Sequence, residues 1–195
     1  MPRPDRLLLA ALLVPPVLIA LVGTTHPDRL TMDAAVHWRN MHIVLLPLFP
    51  LLAVGPWLLA RSVDPLYGRI TLVLGYVYAC FYSALDILAG IAAGGLKVDR
   101  ESGLGTVFGL ASDLGEVGSI AYIGATAAAA GCVIRVVGLR ALPGALVAIG
   151  GAYAFMQEHV YWPAGVLSMI AIALGWAWML VTLHVGQRSA SRSLP

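Results

Sequence analysis

Long apolar runs separated by short polar breaks set the pattern of this chain. Residues 7–23 (LLLAALLVPPVLIALVG) carry no charge. The first polar break is 24–42 (TTHPDRLTMDAAVHWRNMH), which holds three of the five histidines. A helix needs about 20 apolar residues to cross a bilayer. On that measure the runs predict crossings at about 7–23, 41–60, 70–94, 113–137, 142–158 and 163–184. The fold class expected is an all-α integral membrane protein, a six-transmembrane-helix bundle. A single transmembrane domain would fill residues 1–188, leaving 189–195 as a disordered basic tail.

The breaks refine this picture. A charged start before an apolar run resembles a signal peptide, but no small-x-small site follows and Pro15–Pro16 sit mid-run, so an uncleaved, kinked crossing is expected. Thr31 can cap a helix with Asp33 in its first turn. Pro47, Pro50 and Pro56 then interrupt that helix and strip the carbonyls of Ile43 and Leu46 of their usual donors. In the third crossing Gly75, Ala79, Tyr82, Ser83, Asp86 and Gly90 share one face, a small and polar stripe that should meet protein rather than lipid. Residues 95–112 read as a loop whose end, GLGTVFGLAS, lies along the interface. The fourth crossing is rich in Gly, Ala, Ser and Thr, a composition for close packing. QEHVYWP, 157–163, reads as a tight turn, with Pro163 opening the last helix.

Composition supports the class. The chain is 59% hydrophobic and 11% charged, against about 25% charged in soluble domains. A net charge of +2 gives no footprint for nucleic acid. With six crossings, eight Lys/Arg and two carboxylates fall on the side of the termini, and four Lys/Arg and eight carboxylates on the other. The positive-inside rule then places the N- and C-termini in the cytoplasm. Trp38 and Trp162 fall at the outer interface and Trp57 near the inner one. A multi-pass protein of the plasma membrane is expected. Eleven Arg to one Lys fits a high-GC bacterial genome, hence a bacterial cytoplasmic membrane. Cys80 and Cys132 have no metal spacing and read as buried core residues.

The chemistry-bearing residues gather on the outer side. His42 opens the second crossing, Asp86 lies in the outer half of the third, Asp113 and Glu116 open the fourth, and Glu158 and His159 close the fifth. Imidazoles and carboxylates converging from several helices are material for a metal, haem or proton-coupled site. The candidate metal ligands are His42, Asp86, Glu116, Glu158 and His159. Asp86, Glu116 and Glu158 are the candidate catalytic carboxylates, and His42 and His159 the candidate cofactor ligands. Each has a plainer reading. Asp113 and Glu116 match a capping box. Asp33 and His37, four apart, can pair on a helix surface. His26, before Pro27, reads as a loop residue, and His184 as interfacial. His37 and His42, five apart, diverge by about 140° on a helix and do not share one metal. Asp86 is the exception, because a carboxylate in the hydrocarbon is paired or functional.

Three functions stay open. One is an outward-facing metal or haem site, serving a membrane enzyme or an electron-transfer protein. Another is a small proton-linked transporter built on Asp86 and the proline-broken helices. The third is a non-catalytic membrane subunit, whose polar cluster meets a membrane-protein partner or a second copy in a homo-oligomer. Phosphate-loop, dinucleotide and serine-hydrolase motifs are absent.

Overall fold

A computed structural model describes residues 6–192, with side chains through residue 186. The described residues are predominantly helical, without a strand. Helix α1 (Arg6–Gly23) leads through a loop to α2 (Ala35–Leu45), a 3-10 segment (Phe49–Ala53) and α3 (Val54–Val63). Next, α4 (Pro65–Leu85) runs into a π-helix (Asp86–Ala92) and α5 (Ala93–Val98). The long α6 (Leu104–Val137) reaches α7 (Leu142–Glu158) through a short 3-10 turn, and α8 (Ala164–Arg192) ends the fold. Five stretches are long and apolar enough to cross a membrane. One of them, Leu104–Glu158, contains both α6 and α7, parted at Gly138 with φ +71°. Residues 1–5 and 193–195, the charged start and the end of the expected tail, lie outside the described residues.

Local chemistry explains most of the boundaries. Asp64 caps α4, accepting from the backbone N–H of Leu66 at 2.8 Å, and Pro65 takes the first helical position. Around Pro47 and Pro50 the chain tightens into 3-10 geometry instead of breaking, with Leu51 N–H donating to Leu48 O at 3.1 Å. Thr31 Oγ1 accepts from Ala34 N–H at 3.2 Å, so it caps the turn before α2 rather than the helix itself. The expected capping box at Asp113 and Glu116 is not one: α6 begins nine residues earlier, at Leu104, and both acids are exposed in mid-helix. GLGTVFGLAS forms the first turns of α6, and the preceding loop shortens to 99–103.

The core runs between α4 and α6 and between α7 and α8. Tyr78, Tyr82, Tyr122, Phe49, Phe155, Met169, Ile172 and Trp176 fill it. Without a hydrophobic force between helices in lipid, small residues that let backbones approach supply the packing. A Cβ on Gly175 would lie 2.6 Å from both Ala148 N and Gly144 O, and one on Gly151 would lie 2.9 Å from Ser168 O. Helices α7 and α8 therefore touch backbone to backbone. The polar stripe on α4 does face protein: Gly75, Tyr82, Asp86 and Gly90 are buried. Cys132 is buried as expected, but Cys80 is exposed, because it lies off that stripe.

Candidate metal centre

Three histidines from distant parts of the chain meet at one end of the bundle. His26 comes from the loop after α1, His42 from α2 and His159 from the turn after α7. One ring nitrogen of each lies within 4.8 Å of the others. The rings of His26 and His42 are 5.2 Å apart, those of His26 and His159 5.8 Å, and those of His42 and His159 6.0 Å and nearly parallel. His26 and His42 are buried and His159 is half-buried.

The Nδ1 atom is engaged in every ring. His26 Nδ1–H donates to Pro27 O at 2.8 Å, and His42 Nδ1–H donates to Trp38 O at 2.7 Å. His159 Nδ1 is bonded to the Tyr82 hydroxyl at 2.6 Å. A carbonyl only accepts, so in His26 and His42 the proton sits on Nδ1 and the lone pair on Nε2. An outer oxygen that fixes the tautomer and orientation of the ring is the usual support of a metal-binding histidine. His26 Nε2 is buried with no hydrogen-bond partner, a group that calls for an explanation. Burial, opposed by the bond to Pro27 and reinforced by His42 and His37, holds the His26 imidazole down at about 4. The ring is therefore neutral at physiological pH, as a ligand must be.

Aromatic rings wall the group. His26 packs edge-on against Tyr161 at 4.3 Å and Trp38 at 4.7 Å, and His159 lies 5.5 Å from Phe49. The loop holding His26 is tied down by His37, whose Nε2 bonds to Thr25 O at 2.9 Å. His37 makes that bond rather than an ion pair with Asp33. The π-helix shapes the other wall. Trp38 Nε1–H donates to Ala89 O at 2.9 Å, and a Cβ on Gly90 would overlap the His42 ring. His159 has φ +49° and ψ −127°, and Tyr161 N–H donates back to Glu158 O at 3.1 Å. Those angles fit the first central position of a type II′ turn, where glycine is favoured. A histidine there carries backbone strain, of a kind that clusters at functional sites.

Of the residues singled out in the sequence, the fold brings His42 and His159 together and adds His26. His26 is no free loop residue, since the walls of Trp38 and Tyr161 draw it inward. Asp86 stands outside the group: it is 0% exposed, both its oxygens lack a partner, and it opens the π-helix whose Gly90 abuts His42. Glu116 and Glu158 are exposed and are not part of the group. Glu116 lies off the buried face of α6, which runs through Gly115, Gly118, Ser119 and Tyr122. His184 lies far along α8, bonded to Leu180 O at 2.7 Å.

No family model matches this chain, and neither a curated protein nor a solved structure matches it. Fold and site together define a class: an all-helical bundle with membrane-length apolar helices and a three-histidine group whose donor atoms can hold a metal ion.

Proposed function

We propose that this protein is a six-crossing membrane bundle that holds one transition-metal ion at its outer end through Nε2 of His26, His42 and His159. The crossings would be α1, α2–α3, α4–α5, α6, α7 and α8, with both termini cytoplasmic by the charge distribution. The observation that carries the metal reading is the shared construction of the three rings, each anchored through Nδ1 and converging within 4.8 Å. Three neutral imidazoles with an open fourth position are the donor set of catalytic zinc, and they suit copper too. Such a centre supplies a Lewis acid that binds and activates a water or a small anionic substrate. A single ion fits better than haem. His26 stands within 6 Å of both other rings, and Trp38 and Tyr161 close on His26, so the space a porphyrin would need is filled by side chains.

The test is metal content. The protein, purified in mild detergent, exposed to Zn(II) and desalted, should retain about one equivalent. His26→Ala, His42→Ala and His159→Ala should each lose it, while His184→Ala keeps it. Wild-type protein that emerges metal-free would refute the reading.

A further inference from the structure

Asp86 is the feature that the three-histidine centre leaves unexplained. A carboxyl group that is fully buried with both oxygens unpartnered is costly to hold, and native structures contain few of them. It lies one helical turn beyond Tyr82 on the same buried face. Tyr82 is itself buried, and its hydroxyl carries the bond to His159.

That bond differs from its two counterparts in one chemical respect. Pro27 O and Trp38 O can only accept, so the tautomers of His26 and His42 are fixed whether or not an ion is present. The Tyr82 hydroxyl can donate or accept. His159 alone can exist as the Nε2–H tautomer, with Tyr82 O–H donating to Nδ1. An ion on Nε2 removes that option. The ring must then carry its proton on Nδ1 and donate to the Tyr82 oxygen, and the Tyr82 O–H has to turn to another acceptor.

Resting on the metal reading above, we propose that Tyr82 is a positioning residue that couples the centre to Asp86. In the metal-free protein Tyr82 O–H donates to His159 Nδ1 and Asp86 is orphaned. Loading moves the imidazole proton from Nε2 to Nδ1, reverses the His159–Tyr82 bond and frees the Tyr82 O–H for an Asp86 oxygen, which it reaches only as the two side chains shift together, since neither oxygen has a donor within hydrogen-bond distance beforehand. No proton is gained or lost; one N–H bond is exchanged for another on the same ring. The orphaned carboxyl is thus the acceptor kept for the loaded state, and the π-helix opening at Asp86 holds it one turn from Tyr82.

The probe is Zn(II) alone, titrated into the detergent-solubilised full chain. Tyr82→Phe keeps the ring and its packing but removes the hydroxyl. It should weaken Zn(II) binding by about 10- to 100-fold, the usual effect of losing an outer partner of a ligating histidine. Asp86→Asn should weaken it less than Tyr82→Phe does. Difference infrared spectra supply a readout that a purely structural role would not move. Adding Zn(II) to wild type should shift a carboxyl band that is missing in Asp86→Asn, and the shift should vanish in Tyr82→Phe at saturating Zn(II). Zn(II) binding with an unmoved carboxyl band, or a band that still shifts in Tyr82→Phe, overturns the coupling and leaves the centre standing. A wild type that binds no Zn(II) overturns the centre itself.

Discussion

Two helix contacts in this bundle both depend on glycine, and they use it for opposite ends. Between α7 and α8, Gly144, Gly151 and Gly175 bring backbone against backbone. The neighbours there are Ala145, Ala148, Ala152, Met169 and Ile172, all buried and apolar. Between α2 and the π-helix, Gly90 makes room for an imidazole ring, and the nearby polar groups include the unpartnered oxygens of Asp86. The first contact gathers dispersion energy and leaves no polar group wanting. The second gives up part of that gain for a cavity shaped around His42. The α7–α8 contact therefore serves packing, and the α2–π-helix contact serves the candidate site.

The largest effect should come from breaking the first contact. Gly175→Val places a branched side chain where even a Cβ would lie 2.6 Å from backbone atoms of α7. The helices must separate, at about 3 kcal/mol or more, the upper end of overpacking costs. Thermal unfolding in detergent should show it as a large fall in midpoint, with the metal affinity of the surviving folded fraction unchanged. Gly90→Ala should reverse those proportions. The added methyl displaces the His42 ring, so Zn(II) affinity should fall by about 10-fold or more, while stability changes by only about 1–2 kcal/mol. If Gly90→Ala left Zn(II) binding intact, the division between the two contacts would not hold.

The smallest effect sharpens the comparison from the side of pH. His26 has its folded value lowered to about 4 by burial, below an ordinary value of 6.5. The unfolded chain then binds more protons than the folded one between those values, so stability rises with pH across that window. The contribution is complete above about pH 6.5 and is lost as pH falls towards 4. Wild-type protein should lose stability over this range, and His26→Gln should lose less. A mutation at the α7–α8 contact should leave the pH slope unchanged.

The helical, membrane-compatible character was legible in the sequence because it rests on composition and run length, which need no tertiary information. Helix ends were less so. At α6 no side-chain cap announces Leu104, and the start is made by Gly103 at φ +104°, a backbone property that many glycines could supply. His42 and His159 were visible as candidates because topology alone puts them at one depth. His26 was not, since its burial comes from Trp38 and Tyr161, and nothing local to a His-Pro pair signals contact with a turn over a hundred residues away. Glu116 and Asp86 were both candidate carboxylates in the sequence, although only Asp86 stood inside an apolar run. The helical phase then separates them, Asp86 on a buried face and Glu116 on an exposed one.

Angular phase also gives the π-helix a consequence of its own. In an α-helix four residues overshoot one turn by about 40°, so positions four apart drift steadily around the axis. The buried positions Tyr78, Tyr82, Asp86 and Gly90 are each four apart, and drift would carry the last of them away from α2. A π-turn advances less per residue, which cancels the overshoot and returns Gly90 to His42 and Gly94 to Arg39. The widened segment acts as a vernier between two parts of one helix. It lets α4 keep its register with α6 while α5 keeps a different register with α2.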